Sequence, residues 1–220
     1  MTETPRSRRE RPAKPALSRE GIVAAAVAVL RAEGLRKVTM RRLAQELDTG
    51  PASLYVYVRN TDELHAAVLD ELLGTVGSAP SGGGWRERLE RVLTDCTRML
   101  LDHPDLARSA LTARPSGPHY LNLIETLLAL LAEGGVPRDR AAWGVDLLLQ
   151  HATATAAEHA GEKSPGDWQA LDSALRGASE DTHPHIAASA GELLSGAPEA
   201  RMSWAFRALI DGIRRTAVPD

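Results

Sequence analysis

The chain has 220 residues, of which 43% are hydrophobic and 25% are charged. This is the composition of a folded globular protein and excludes wholesale disorder. No apolar run reaches the roughly 18 residues of a membrane span, and charge occupies the N-terminus where a signal peptide would need an apolar stretch, so we expect a cytoplasmic protein.

The net charge of −3 hides an uneven distribution. Residues 1–60 contain 12 Lys and Arg against 6 Asp and Glu, which leaves +6 at the front of the chain and −9 in the rest. A basic head on an acidic body indicates a polyanionic partner at one end only. A solvated basic tail would have the same charges, so the pattern of helices has to decide between the two.

Strand signals are scarce, because Val, Ile and aromatic residues are few, while apolar residues recur at helical spacing. The fold class is therefore predicted to be all-α. Residues 1–16 have no periodicity and are predicted to be a disordered basic arm. A stretch rich in Gly, Ser and Pro from Gly74 to Gly84 marks a boundary. We therefore expect two units, a head at 17–76 and a body at 85–217.

The head contains signals for four short helices. Ser18 and Thr39 are placed as N-caps, each with apolar residues at the flanking positions, and Gly34 ends the first helix. Pro51 begins a third helix after a brief break, and Asn60 caps a fourth. The first three of these helices, with the second and third joined by a tight turn, are typical of a helix-turn-helix.

The body is predicted to be helical as well. Residues from Tyr120 to Leu131 are apolar nearly all round, which is typical of a helix enclosed by others. A polar, Gly- and His-bearing region from Gly161 to His185 is expected to be mobile. We predict that two copies pair through the Pro137–Gly161 and Pro198–Thr216 helices. The stripe proposed for that interface is Phe206, Leu209, Ile210 and Ile213.

The segment from Thr39 to Val58 carries the functional pattern. Leu43, Leu47 and Leu54 are spaced to face the first helix, which leaves five positions facing outward: Pro51, Ala52, Ser53, Tyr55 and Tyr57. Two tyrosine rings exposed to water are costly unless a partner covers them, and DNA phosphates and thymine methyl groups would do so. Arg41 and Arg42 are placed to reach the DNA backbone or a guanine edge. The alternative is that the tyrosines pack on the body and the arginines are solvated.

Two segments resemble the DNA-binding half of the TetR family of repressors: TMRRLAQEL from Thr39 and ASLYVYVRN from Ala52. The body resembles the tetracycline-repressor subclass at Trp85, His103, Asp105, Arg114, Pro115, Tyr120, Leu127 and Glu158. The resemblance places the third helix in the major groove and implies these DNA-facing residues: Arg41, Pro51, Ala52, Tyr55, Tyr57 and Thr61. Asp48 stands where the turn of the family usually has Gly, and Asp tolerates the left-handed conformation better than most residues.

The ligand region departs from the tetracycline-type pattern. The positions that hold a drug–magnesium chelate in those repressors correspond here to Ala110, Gly77, Val92, Thr126 and Cys96. We therefore expect no metal or cofactor, and an apolar pocket for a hydrophobic or aromatic effector. The candidate ligand-binding residues are Val92, Cys96, Ala110, Ala113, Arg114, Thr126 and Glu158. Arg114 and Pro115 fit a structural turn at a helix end equally well.

The sequence gives little support for a metal site or a catalytic site. His151 and His159 lie eight residues apart, and no His or Glu at i+4 completes a metal site. No nucleophile elbow, phosphate loop or zinc-protease motif is present, so we expect no enzyme. The predicted function is a repressor that binds a near-palindromic operator as a homodimer and is released by a small effector. On this interpretation the head at 17–76 is a helix-turn-helix DNA-binding domain with its connecting helix, and the body at 85–217 is a helical ligand-binding and dimerisation domain. The alternative is a helical carrier or sequestering protein without DNA binding.

Overall fold

The structure is a computed structural model that describes residues 16–76, 81–112, 115–159 and 165–219. All regular elements within these ranges are helices, which confirms the predicted all-α class. The predicted arm lies almost wholly outside the described residues. None of the helices described is both long and apolar enough to cross a bilayer.

The head consists of four α-helices and a short 3₁₀ helix, and the four α-helices begin where the sequence predicts. They are α1 (Arg19–Glu33), the 3₁₀ helix (Leu35–Lys37), α2 (Met40–Glu46), α3 (Pro51–Leu54) and α4 (Thr61–Leu73). The Ser18 hydroxyl accepts from the Gly21 amide at 3.0 Å, and the Asn60 side chain accepts from the Glu63 amide at 2.8 Å. Thr39 caps α2 in the same way. These contacts confirm the predicted starts of three helices.

The helix α3 is shorter than its apolar pattern suggests. It ends at Leu54, and the chain continues as a turn to Val58. Leu54 and Val58 are nevertheless both buried, against a core that includes Leu43 of α2 and Ile22 of α1. The inward stripe is therefore correct although the helix stops early.

The body is built around two long helices that pack on each other. Its elements are α5 (Trp85–Leu101), α6 (Pro104–Ala110), α7 (Pro118–Glu133), α8 (Arg138–His159), α9 (Pro165–Arg176), α10 (Pro184–Leu193) and α11 (Pro198–Arg215). The helices α6, α7 and α11 all pack on α5 and α8. The prediction that the Tyr120–Leu131 helix is enclosed is wrong: Leu121 is exposed, since α7 is covered only on the side facing α4, α5 and α8.

The region from Gly161 to His185, which we predicted to be mobile, is largely helical in its described part from residue 165 onward. It contains all of α9 and the start of α10, which pack against each other. Each begins with a proline in its first turn, where the missing N–H costs nothing. No residue of α10 is buried, and Trp168 and Leu171 of α9 are exposed. Helix formation here does not depend on a buried apolar stripe, which is why the sequence pattern missed it.

The stripe on α11 belongs mostly to the core of one chain. Phe206, Ile210 and Ile213 are buried against α5 and α8, and Leu209 is half-buried. The prediction that Phe206, Ile210 and Ile213 form a dimer interface is therefore wrong, because an apolar stripe has the same period whether it faces its own chain or another. For Leu209 it stays a prediction. The exposed apolar side chains of α8 and α11 are instead Trp143, Leu147 and Trp204.

Candidate DNA-binding surface and ligand cavity

A tight turn joins α2 to α3. The Thr49 amide donates to the Ala44 carbonyl at 2.8 Å, and the Ser53 amide donates to the Gly50 carbonyl at 3.0 Å. Asp48 has a φ of +48°, which is the left-handed conformation that Gly usually supplies. Among the described residues, Asp48 alone adopts a positive φ without being glycine. The departure noted in the sequence is therefore accommodated, because Asp48 itself adopts this conformation.

The outward side of this segment is open to solvent. Tyr55 is 53% exposed and Tyr57 is 37% exposed, so neither ring packs into the body as the alternative interpretation required. The other predicted DNA-facing residues are also exposed: Arg41, Pro51, Ala52, Ser53 and Thr61. Contact with DNA remains a prediction for all of them. What the structure provides is a solvent-accessible surface, held from behind by Leu54 and Val58.

Val56 was missed by the sequence reasoning. It is 80% exposed and lies between the two tyrosines. An aliphatic side chain here can contact thymine methyl groups, as can the methyl group of Ala52. The turn that follows α3 breaks helical spacing, so periodicity alone could not place Val56 on the outer surface.

Arg42 differs from Arg41. Its Nη2 lies 2.7 Å from Glu33 Oε1, and its Nη1 lies 2.8 Å from Glu46 Oε2. These two carboxylates raise the pKa of Arg42, and the hydrogen bond from Arg42 lowers the pKa of Glu33. Arg42 therefore joins α2 to the end of α1, which corrects the expectation that it is available to DNA. The Glu46 partner at i+4 was the signal in the sequence.

Parts of α4, α5, α6, α7 and α8 line a cavity of about 290 Å³ that is partly open to solvent. Most of its wall is apolar, while Asp146, Gln150 and Thr153 of α8 form a polar side. The described lining residues are Leu69, Leu73, Cys96, Leu100, Ala110, Leu111, Pro115, Tyr120, Leu123, Asp146, Leu149, Gln150, Thr153 and Ala154. The volume is close to the lower end of the range for small-molecule sites.

The structure brings only some of the candidate ligand residues to this cavity. Cys96 and Ala110 lie in its wall. Val92 is buried in the core away from the lining, the Thr126 hydroxyl donates to the Asn122 carbonyl at 2.8 Å, and Glu158 is exposed near the end of α8. The remaining predicted residues, Ala113 and Arg114, and the position compared with the chelate site, Gly77, lie outside the described residues.

The lining of the cavity suits a ligand whose surface is uncharged and apolar, with hydrogen-bonding groups on one side. Gln150 Nε2 donates to Asp146 Oδ2 at 2.7 Å, so the amide is oriented by its neighbour one turn away. Burial raises the pKa of the Cys96 thiol to about 12, which keeps it neutral. Within the described residues, no three His, Cys, Asp or Glu side chains are grouped to hold a metal ion. Sequence reasoning missed Leu69, Leu73 and Gln150 because the lining is assembled from separate helices.

Two family models match the chain and together span both halves of this fold. Residues 22–68 match the model of bacterial regulatory proteins of the tetR family, and residues 78–217 match the tetracyclin repressor-like C-terminal domain. The chain belongs to the TetR family. The resemblance seen in the head and in the body is thereby confirmed.

Individual relatives agree with this assignment. An HTH-type transcriptional regulator of Saccharopolyspora erythraea is 37% identical over 126 residues, which is 57% of this chain and 53% of that protein. The chain thus spans about half the length of that curated relative in the alignment. A candidate transcription regulator of Streptomyces coelicolor of known structure is 59% identical, with a TM-score of 0.81 over 94% of this chain and 99% of that one. The TetR family protein ActR of Streptomyces coelicolor, solved in complex with actinorhodin, is 36% identical, with a TM-score of 0.79 over 90% and 96% of the two chains.

Proposed function

We propose that this TetR-family protein is a transcriptional repressor that binds a near-palindromic operator as a homodimer. A small hydrophobic or aromatic effector releases it from DNA. Because its proposed partner is the chromosome, the protein would act in the cytoplasm, and the proposal assigns it no enzymatic reaction. The domains follow: a head at 17–76 that binds DNA and a body at 85–217 that binds the effector and the second copy.

The observation that carries the proposal is the open surface formed by Tyr55, Val56 and Tyr57. Three apolar or aromatic side chains in water are unfavourable for a surface without a partner. Arg41 and Thr61 at the starts of α2 and α4 can contact phosphates on either side, while the segment from Pro51 enters the major groove. Pro51 and Ala52 offer few hydrogen bonds to bases, so shape and phosphate contacts would supply much of the affinity.

Dimerisation is proposed through α8 and α11. Trp143 and Trp204 are 60% and 70% exposed, and Leu147 lies one turn beyond Trp143 on the same helix. A second copy could cover these three side chains in a four-helix interface. That arrangement would place two copies of α3 about 34 Å apart, which is one helical repeat of DNA.

The cavity supports the effector half of the proposal. Its apolar wall suits a hydrophobic or aromatic molecule, and ActR, similar over nearly the whole chain, has been solved with actinorhodin. Cys96 and Ala110 remain the proposed ligand contacts. The helix α4 connects the two sites, since Leu69 and Leu73 line the cavity while α4 packs on α1 of the head. An effector that favours one spacing of the two heads would shift the equilibrium away from DNA.

The test is binding of the purified protein to DNA upstream of its own coding sequence, measured at several salt concentrations. We expect a sequence-selective, salt-sensitive complex that Tyr55→Ala and Arg41→Ala each weaken about tenfold or more. The control Arg176→Ala removes an exposed arginine from α9 and should leave binding unchanged. A chain that binds no DNA but binds small molecules would instead be a carrier or sequestering protein.

The effector is tested by thermal shift with actinorhodin and with magnesium-tetracycline as probes. We expect actinorhodin to raise the melting temperature and magnesium-tetracycline to leave it unchanged. Leu123→Trp, which places a large ring in the cavity, should abolish the shift while leaving DNA binding measurable. Stabilisation by magnesium-tetracycline alone would contradict the proposed class of ligand.

A further inference from the structure

A carboxylate of α4 caps the start of α7. Asp70 is 7% exposed, and its Oδ1 accepts from the Tyr120 amide at 2.9 Å while its Oδ2 lies 3.4 Å from the His119 amide. Both amides belong to the first turn of α7, whose N-cap is Gly117 and has no side chain to satisfy them. Asp70 therefore takes the role of the capping side chain from a different helix, and its negative charge favours the positive end of α7.

Two glycines leave the space that this contact needs. A Cβ on Gly117 would lie only 2.1 Å from Asp70 Oδ2, and a Cβ on Gly74 would lie 2.8 Å from the His119 ring. Gly117 has a φ of −84°, so the backbone itself would accept any residue. The requirement for glycine comes from the Asp70 carboxylate, which occupies the space a side chain would need.

Tyr120 connects this cap to the cavity. Its side chain lines the cavity while its own amide donates to Asp70. On the other helix, Leu69 and Leu73 line the cavity on either side of Asp70 in the sequence. A molecule that fills the cavity therefore touches the residue that Asp70 holds and also the helix that carries Asp70.

We infer that Asp70 is the positioning residue through which α4 responds to occupation of the cavity. The hydrogen bond to the Tyr120 amide makes the first turn of α7 and the second half of α4 move as one body. A ligand that shifts Tyr120 then shifts α4, and α4 carries the change to α1. The consequence for DNA rests on the proposed repressor function, but the coupling between cavity and α4 does not.

The experiment uses the full chain and replaces the unidentified effector with a built-in occupant. Thr153→Trp places an indole in the cavity from α8, and α4 and α7 line the same cavity. Hydrogen exchange is then followed over residues 61–73 and 118–121, with and without Asp70→Asn. The variant Asp70→Asn keeps the shape of the side chain and loses its charge, and Glu71→Gln removes the neighbouring carboxylate as the matched control.

We expect Asp70→Asn alone to speed exchange of the His119 and Tyr120 amides by about tenfold, because it weakens a charge-assisted hydrogen bond. Thr153→Trp should change exchange in α4 several-fold, an effect lost with Asp70→Asn and retained with Glu71→Gln. Gly117→Ala, which displaces the carboxylate without removing it, should uncouple α4 in the same way. If one of the two variants folds poorly, the other still tests the inference.

The inference would be overturned if Thr153→Trp changed hydrogen exchange in α4 equally with and without Asp70→Asn. It would also be overturned if Thr153→Trp alone left exchange in α4 unchanged. The DNA measurement distinguishes this from failure of the proposed function. Thr153→Trp should weaken operator binding, and Asp70→Asn should reduce that loss. If the parent binds no DNA, the repressor proposal fails, while the exchange result still decides the role of Asp70.

Discussion

Arg42 and Glu33 join the second helix of the head to the end of the first, with Nη2 and Nε of the guanidinium 2.7 and 3.0 Å from the same carboxylate oxygen. Arg41, its neighbour, is exposed. We expect Arg42→Ala to lower the melting temperature, since it removes the link between α1 and α2. Arg41→Ala should leave the melting temperature unchanged and instead reduce the salt dependence of DNA binding by about one unit of slope. The opposite pattern in melting and binding assays would show that the two arginines have been assigned the wrong roles.

His151 makes stability sensitive to pH. Its ring packs edge-on against Phe206 at 5.3 Å, and its buried Nε2 has no hydrogen-bond partner among the described residues. Burial lowers the pKa of His151 below its ordinary value of 6.5. The unfolded chain therefore takes up the proton first, and stability falls as the pH drops through 6.5 toward the lowered value. We expect His151→Phe to lose less stability than the parent between pH 7 and pH 5. Parallel denaturation curves over this range would rule out the effect.

Gly144 allows α8 and α11 to approach closely. A Cβ at this position would lie 2.7 Å from Ile213 Cγ2, and both residues are buried. We expect Gly144→Ala to destabilise the protein by about 1–3 kcal/mol through overpacking, and Ile213→Val to recover part of that loss in the double variant. Gly212→Ala is the matched control, because nothing lies within 4 Å of its added Cβ. It should stabilise α11 by roughly 0.5–1 kcal/mol in urea denaturation.

Cys96 should be slow to react although it borders a cavity. Burial raises its pKa to about 12, so about one thiol in ten thousand is ionised at pH 8. We expect a disulfide reagent to modify the native protein about a thousandfold more slowly than the denatured chain. Rapid labelling of the folded protein would show that the thiol reaches solvent far more often than its 3% exposure indicates. A bound effector should slow the reaction further.

The exposed tryptophan of α11 provides a test of the dimer. Trp204→Arg, alone or with Leu147→Glu, should convert the protein to a monomer in light scattering, because it places charge in the proposed apolar interface. Leu121→Arg alters another exposed apolar residue, on α7, and should leave the dimer intact. A parent chain that is monomeric at micromolar concentration would remove the proposed interface altogether.

Local features of the fold could be predicted from the sequence, and the reason is physical. The caps at Ser18, Thr39 and Asn60 each depend on a side chain bonding to an amide three residues away, so the relevant atoms are neighbours in the sequence. The exposure of Tyr55 and Tyr57 followed in the same way from the inward positions of Leu54 and Val58. Interactions confined to one helical turn can therefore be predicted from the sequence.

The cavity and the assignment of apolar faces could not be predicted in this way. Leu69 and Gln150 meet at one cavity although 81 positions separate them in the sequence. The stripe of Phe206 and Ile210 has the same spacing whether it packs within one chain or between two. Only the arrangement of the helices decides such questions, and no single segment contains that information.

The segment from Pro51 to Val58 contributes only Leu54 and Val58 to the core, while its outward residues contribute to nothing inside the molecule. Those outward positions can therefore be exchanged almost freely without weakening the fold. A lineage could acquire a new operator by a few substitutions there while keeping the same effector and the same response. The same separation makes the segment from Pro51 to Tyr57 a natural place to redesign target preference in a biosensor built from this chain.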